Sequence, residues 1–154
     1  MERMFHYYFA YGANMNIESM KWRCPKAIPI GKARLTEYKL NFRRGVATVE
    51  PQRGEYVPGA LWKITTSCIK SLDHFEGYPR LYGRYTIKGG KGLPKVQIYI
   101  MQPGYEESPP SSYYLETILQ GYKDFDWGKK AQGNLCKIAR KLMEVEHCVR
   151  TTTV

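Results

Sequence analysis

The stretch Phe9-Ala10-Tyr11-Gly12-Ala13-Asn14-Met15 is the point around which this chain is organised. It ends an apolar and aromatic run, residues 5–11, of the kind that forms a buried strand. The run breaks at Gly12, whose backbone can adopt angles that other residues resist. Such a turn can leave successive backbone N–H groups unpaired, and a nest of this kind can hold a carboxylate or a developing oxyanion. On local pattern alone, an ordinary corner between a strand and a loop is the simpler interpretation.

Further segments follow this motif in a fixed order along the chain. They are Leu72-Asp73-His74-Phe75-Glu76-Gly77 with Tyr82 after it, then Pro109-Pro110-Ser111-Ser112-Tyr113-Tyr114, with strand-like segments 47–51 and 57–62 before them. Together with Tyr11-Gly12-Ala13-Asn14-Met15, these segments resemble the motifs of the γ-glutamylcyclotransferase-like family over about residues 5–125. Several motifs in the right order are far more specific than any one of them. Ala13 stands where serine is common in that family, a change of little cost if the position contributes only its backbone N–H.

The strand and helix pattern is that of an α+β protein. Strands are predicted at residues 5–11, 32–42, 46–50 and 56–64, and a hairpin at 81–87 and 95–101. A phase shift at Glu37 predicts a bulge in the second strand. The resemblance implies the compact mixed β-barrel with short flanking helices of that family. We expect residues 1–128 to form the γ-glutamylcyclotransferase-like domain, with an amphipathic helix and tail, residues 129–154, packed on it.

Two short helices carry the later motifs. One is predicted to be capped by Thr66 or Ser67 and to end at Gly77, with Phe75 among its inward-facing residues. The other follows the Pro-Pro pair and is predicted to end at Gly121.

Cysteine and histidine usage limits the chemistry that the chain can support. Cys24, Cys68, Cys136 and Cys148 are widely spaced and show no CxxC pairing, which is typical of reduced thiols in a cytoplasmic protein. The histidines form no tight cluster with them, so we expect no metal site. Cys24 or Cys68 could in principle be a nucleophile beside His74, but inert buried cysteine is the simpler interpretation.

The net charge is strongly positive, with 24 basic against 14 acidic residues and a formal charge of +10. Such a charge leaves nucleic-acid binding open as a hypothesis. However, the basic residues are spread, and no arginine-rich tract or RNP-like motif accompanies them, which favours a solvated basic surface. No apolar stretch is long enough to cross a membrane. Residues 1–4 lead into strand-like sequence without a small-residue cleavage site, so we expect no signal peptide.

Glu76 is the candidate catalytic base. It is predicted at the C-terminal end of a helix, where the helix dipole disfavours a carboxylate. Asp73 lies three residues earlier and is a like-charged neighbour on the same face. Both influences would raise the pKa of Glu76, which suits a general base. Taken without the resemblance, an ordinary surface glutamate is the alternative.

The resemblance implies a γ-glutamyl cyclotransferase, in which the free α-amine of a γ-glutamyl group attacks the side-chain carbonyl of the same group. The products are 5-oxoproline and a free amine. Glu76 would be the base, the turn Gly12-Ala13-Asn14-Met15 would stabilise the oxyanion, and Tyr11, Tyr82 and Tyr114 would bind substrate with donated phenol hydrogens. No metal or organic cofactor is required.

Glu76 and the turn are therefore expected to face one cavity, although they lie far apart in the chain. A γ-glutamyl-amine conjugate is a further substrate hypothesis. A non-catalytic binding module, with a nucleic-acid or protein partner, is the alternative function. We expect a monomer or a homodimer located in the cytoplasm.

Overall fold

The chain forms one mixed five-stranded sheet with four α-helices, over the part that this computed structural model describes: residues 5–90, 92–93 and 95–152, with side chains to residue 146. The strands are β1 (Phe5–Ala10), β2 (Ile28–Arg43), β3 (Val46–Thr65), β4 (Tyr82–Lys88) and β5 (Lys95–Met101). The helices are α1 (Ile17–Arg23), α2 (Thr66–Phe75), α3 (Ser112–Asp124) and α4 (Lys129–Thr152), and a short 3-10 helix, Ala13–Met15, follows β1. The predicted α+β class is confirmed.

The strand order is β2-β3-β1-β5-β4. The short strand β1 lies at the centre, antiparallel to β3 and parallel to β5, so the sheet is mixed as predicted. It is open, however, and not a closed barrel. The beginning of β3 does approach the end of β5, where Thr48 Oγ1 accepts a hydrogen bond of 3.0 Å from the Met101 N–H. Because a side chain and not a backbone ladder makes this contact, the barrel is left incomplete.

The β2–β3 hairpin is longer than the sequence pattern indicated. The predicted strands 46–50 and 56–64 are one strand of 20 residues. The predicted bulge is confirmed, since Glu37 has φ +66° and the pairing register shifts there. The Glu37 carboxylate also accepts a 3.1 Å hydrogen bond from the Gly54 N–H, which holds the two strands together across the bulge. Local composition did not reveal this tertiary support for residues 51–55.

Helix α2 begins one residue earlier than predicted and exposes its last residue. Thr65 is the N-cap, with its hydroxyl oxygen accepting a 3.2 Å hydrogen bond from the Cys68 N–H. Leu72 is fully buried, but Phe75 is 46% exposed, so the prediction that Phe75 faces the core is wrong. It stands at the helix end, where it lines a cavity and not the core. Gly77 follows the helix with φ +63°, which confirms the predicted stop.

Gly121 lies inside α3 and does not end it. A Cβ atom at this position would lie 2.6 Å from Met15 Cβ, 2.7 Å from Met15 C and 2.8 Å from Asn16 N. The glycine is therefore required for close approach of α3 to the turn after β1, and the helix continues to Asp124. This crossing seats the turn against a rigid helix.

Helix α4 contacts α3 and β2, and it adds Leu135 and Ala139 to the hydrophobic core. From the sequence we expect two units, residues 1–128 and 129–154. Residues 1–4, 91 and 94 of the first unit and residues 153–154 of the second lie outside the described residues. Within the described part, no helix is long and apolar enough to span a membrane.

The crossing at Gly121 predicts the effect of one added methyl group. Gly121→Ala should lower the free energy of unfolding by about 1–3 kcal/mol, because the Met15 and Asn16 backbone must move. Gly133→Ala is the matched control, since Gly133 is exposed in α4 and no atom lies within 4 Å of a Cβ there. The control should gain about 1 kcal/mol from helix propensity. Urea denaturation measures both, and equal stabilisation of the two variants would contradict the packing role.

Candidate active site

A fixed helix end presents the Glu76 side chain. The Gly77 N–H donates to the His74 carbonyl at 3.3 Å, and the Tyr78 N–H donates to the Asp73 carbonyl at 2.9 Å. With Gly77 in the left-handed region, this is a Schellman motif in which Glu76 is the C-cap. The carboxylate therefore projects from a well-defined backbone position and not from a loose loop.

The turn after β1 leaves three backbone N–H groups available. The Met15 N–H closes the 3-10 turn onto the Gly12 carbonyl at 3.0 Å, and the Trp62 indole donates to the Asn14 carbonyl at 3.1 Å. Within the described part of the chain, the N–H groups of Gly12, Ala13 and Asn14 have no hydrogen-bond acceptor. The turn is thus anchored through its carbonyls while its first N–H groups remain open.

Met15 does not belong to the cavity, contrary to the prediction. Its N–H is used within the turn and its side chain is fully buried. The side chain packs beneath the turn against Gly121, so Met15 supports the site and does not line it.

The turn and Glu76 meet at one partly enclosed cavity of about 110 Å³. The Asn14 side-chain amide donates to Glu76 Oε1 at 3.3 Å and to the Tyr8 hydroxyl at 3.0 Å. The expectation that Glu76 and Tyr11–Asn14 face one cavity is confirmed. The lining side chains are mostly aromatic or small: Tyr8, Tyr11, Gly12, Ala13, Asn14, Val46, Ala47, Phe75, Glu76, Leu81, Tyr82, Tyr99 and Tyr114.

Burial raises the pKa of Glu76 to about 7, and the positive charge of Arg23 opposes this rise. The predicted direction is right, but the predicted contribution of Asp73 is wrong. Asp73 is held by an ion pair with Arg84, and it accepts a 2.6 Å hydrogen bond from the Tyr99 hydroxyl. Because its charge is compensated there, Asp73 does not account for the shift. A carboxyl with a pKa near 7 can both accept and return a proton at neutral pH.

The three predicted tyrosines all line the cavity, but their hydroxyl groups differ in use. The Tyr11 hydroxyl donates to the Tyr99 carbonyl at 2.6 Å, and the Tyr82 hydroxyl donates to the Ala47 carbonyl. These two phenols therefore offer a ring surface and no free hydrogen, which corrects the predicted donor role. The Tyr114 hydroxyl accepts from the Ala47 N–H at 3.1 Å, so its own hydrogen remains available to a ligand.

Sequence reasoning missed Tyr8, Tyr99 and Phe75. Tyr8 and Tyr99 come together through the parallel pairing of β1 with β5, with their ring centroids 5.9 Å apart. No short motif records such a long-range contact. The alternation of side chains along β1 could have identified Tyr8 as an inward-facing residue, but it could not have predicted the hydrogen bond between Tyr8 and Asn14.

Of the cysteines whose side chains are described, none lines this cavity. Cys24 and Cys68 are buried free thiols, and burial raises the pKa of Cys24 to about 12. Cys24 therefore stays a thiol at neutral pH, as an inert core residue would. The Cys136 thiol is also free, while the side chain of Cys148 lies outside the described residues. Among described residues, no three His, Cys, Asp or Glu side chains form a possible metal site.

These features define a class of protein: an α+β domain with a small aromatic cavity in which a carboxyl of raised pKa faces the open N–H groups of a strand-end turn. The family model of "Gamma-glutamyl cyclotransferase, AIG2-like" matches residues 8–122. The chain belongs to this family.

Relatives and a solved structure agree with this assignment. The chain is 33% identical over 133 residues to the gamma-glutamylcyclotransferases of mouse and human, covering 76% of this chain and 70% of each relative. A solved gamma-glutamyl cyclotransferase structure superposes with a TM-score of 0.75 at 29% identity, covering 85% of this chain and 86% of that chain. The fold is therefore that of the γ-glutamyl cyclotransferases.

The raised pKa of Glu76 predicts a pH-dependent stability. The folded state holds a proton on Glu76 up to about pH 7, whereas the unfolded chain releases it near pH 4.5. The stability that this proton gives is complete below about pH 4.5 and is lost as pH rises through about 7, by up to roughly 3 kcal/mol. Glu76→Gln should remove this loss.

Urea unfolding between about pH 4 and 8 measures the difference between wild type and variant. The control is Glu116→Gln, an exposed carboxylate on α3, which should retain the wild-type pH dependence. Parallel stability curves for wild type and Glu76→Gln would contradict the raised pKa.

Proposed function

We propose that this protein is a γ-glutamyl cyclotransferase. It converts a γ-glutamyl amino acid or a γ-glutamyl-amine conjugate to 5-oxoproline and a free amine. The observation that carries the proposal is the hydrogen bond of 3.3 Å from the Asn14 amide to Glu76. It joins a carboxyl of pKa about 7 to a turn with open N–H groups, which is the pairing that acyl transfer to an internal amine requires.

The reaction begins with proton removal by Glu76. The α-ammonium group of the glutamyl moiety gives a proton to the carboxylate, and the freed amine attacks the γ-carbonyl carbon of the same moiety. A new C–N bond closes the five-membered ring and gives a tetrahedral intermediate. Glu76 then returns the proton to the leaving nitrogen as the original C–N bond breaks and the oxyanion collapses to the lactam carbonyl. The ring nitrogen gives up its extra proton to the released amine, which leaves as an ammonium ion. Nucleophile and electrophile belong to one molecule, so the cavity's main task is to hold a folded conformer.

The turn and the tyrosines supply the remaining interactions. The open N–H groups of Gly12, Ala13 and Asn14 are suited to the oxyanion of the intermediate. Gly12 also lacks the Cβ atom that would lie 3.3 Å from the Tyr114 hydroxyl oxygen, which leaves that hydroxyl accessible. The rings of Tyr11 and Tyr82 provide an apolar surface for the glutamyl methylenes.

The leaving amine fits a larger neighbouring groove. This groove of about 930 Å³ is lined by residues 108–112 and by Met143 of α4, and it shares Val46 and Tyr114 with the cavity. Ser111 caps α3 by accepting a 3.1 Å hydrogen bond from the Tyr114 N–H, which fixes the boundary between the two spaces. The glutamyl part would therefore be enclosed while the leaving group lies in an open groove.

The non-catalytic alternative explains these features less well. A binding module has no need of a buried carboxyl with a pKa near 7 beside open backbone N–H groups. We further propose that the enzyme needs no metal or organic cofactor and acts in the cytoplasm as a monomer or homodimer. Salt-dependent nucleic-acid binding without turnover of any γ-glutamyl compound would favour the alternative.

Glu76→Gln tests the base directly. The variant is nearly isosteric, but its amide cannot accept the α-ammonium proton, so 5-oxoproline release should fall about 100- to 10,000-fold. Release is measured with a panel of γ-glutamyl amino acids and amines. Glu116→Gln removes an exposed carboxylate on α3 and should keep full activity. Substantial activity in Glu76→Gln, with wild-type circular dichroism, would exclude Glu76 as the base.

The pH profile provides a second test. Only ionised Glu76 accepts a proton, so kcat/KM should rise with pH through about 7, the pKa of the free enzyme's base. The profile is recorded between about pH 5 and 9 on the best substrate of the panel. A rate that does not change between about pH 5 and 8 would contradict proton abstraction by this carboxyl.

A further inference from the structure

Arg23 ends α1 beside the cavity, and no motif drew attention to it. Its guanidinium carbon lies 3.6 Å from the centre of the Phe75 ring, and that ring lines the cavity. Burial lowers the pKa of Arg23, and the negative charge of the cavity residue Glu76 opposes this fall. The stacking on Phe75 and the interaction with Glu76 place the positive charge beside the cavity, behind one of its lining rings.

The guanidinium is only partly satisfied. Arg23 Nη1 is a fully buried donor with no hydrogen-bond partner among the described residues. The Asn14 side-chain oxygen is likewise a buried acceptor without a partner, although its amide nitrogen donates to both Glu76 and Tyr8. A buried polar group without a partner costs free energy, more so when it is charged, so such groups mark a place that a ligand completes.

We infer that Arg23 binds the α-carboxylate of the glutamyl moiety, while the Asn14 side-chain oxygen accepts from its α-ammonium group. The unpaired cationic donor and the unpaired neutral acceptor match the two charged groups on one α-carbon. This inference rests on the proposed function and deepens it, because it names the two side chains that recognise the substituents of the substrate's α-carbon.

Two other roles for Arg23 explain less. A partner for Glu76 alone would form a direct ion pair, but within the described residues no salt bridge joins the two side chains. A purely structural guanidinium stacked on Phe75 would place its nitrogens on carbonyls or in water, and Nη1 reaches neither. An anion supplied by the substrate satisfies it and neutralises its charge at the same time.

The inference predicts a preference that does not depend on the leaving amine. The reaction product, 5-oxoproline, keeps the α-carboxylate, and its carboxamide is a neutral analogue of the same shape. Wild type should bind 5-oxoproline roughly 10- to 100-fold more tightly than the carboxamide, as expected for a hydrogen bond to a charged group. Ligand-observed NMR titration measures both affinities.

The variants assign this preference to Arg23. Arg23→Gln should bind the two ligands about equally while keeping the wild-type affinity for the carboxamide, which also reports an intact cavity. Arg23→Lys keeps the charge without the fork of donors and should retain part of the preference. Lys21→Gln is the matched control, because it removes a basic residue from the exposed last turn of the same helix. It should behave as wild type.

Several results would overturn the inference. They are equal binding of both ligands by wild type, an unchanged preference in Arg23→Gln, or a parallel loss for both ligands in Arg23→Gln and Arg23→Lys. Failure of the proposed function looks different, since no γ-glutamyl compound would then release 5-oxoproline, whatever the binding preference. Turnover by wild type together with equal binding would overturn only the role of Arg23.

Discussion

The hydrogen bond between the Asn14 amide and the Glu76 carboxylate is the contact on which the site depends. It joins the end of β1 to the end of α2, two places separated by 62 residues. Each partner is fixed by its own backbone device. The Trp62 indole and the close crossing at Gly121 seat the turn, while the left-handed Gly77 sets the helix end. Proton transfer and oxyanion stabilisation require such mutual positioning, because misplacement by an ångström costs much of the rate.

Burial of this contact sets the pKa of Glu76. A carboxylate among aromatic rings loses hydration, so its pKa rises to about 7, where a proton moves in either direction at neutral pH. The aromatic wall is itself kept in place by the sheet, as the Tyr11 and Tyr82 hydroxyls donate to the Tyr99 and Ala47 carbonyls. The tyrosines thus act mainly as a rigid desolvating frame. Ionised Glu76 is poorly solvated there, which lowers the stability of the folded state. Such a compromise between stability and activity is typical of catalytic sites.

The sequence pattern predicts the elements because they have local signals, whereas the meeting of the turn with Glu76 follows from the resemblance to the family and the mechanism that it implies. The aromatic run marks β1, the out-of-phase Glu37 marks the bulge, and Gly77 marks the helix stop. Gly121 was misread, because the same residue type serves as a helix stop and as a point of close approach, and only the crossing of α3 over Met15 distinguishes them. The Asp73 charge was likewise misjudged, since its partner Arg84 belongs to another element, β4. Contacts between residues that are distant in sequence have no signature in the local sequence pattern.

The division of the site into an enclosed cavity and an open groove bears on how specificity arises in this fold. In the reaction that we propose, all groups that the cyclisation needs would contact the glutamyl part, which is the same in every γ-glutamyl compound. The cavity is lined by residues from β1, β3, α2, β4, β5 and α3, so a change in a lining residue also affects the packing of the element that carries it. The groove, by contrast, is built by the loop at 108–112 and by Met143 of α4. Because loops tolerate substitution better than packed strands, the leaving-group preference can change there without moving Glu76 or the turn. Under the proposed function, a single catalytic arrangement would therefore serve γ-glutamyl compounds that differ widely in the amine they release.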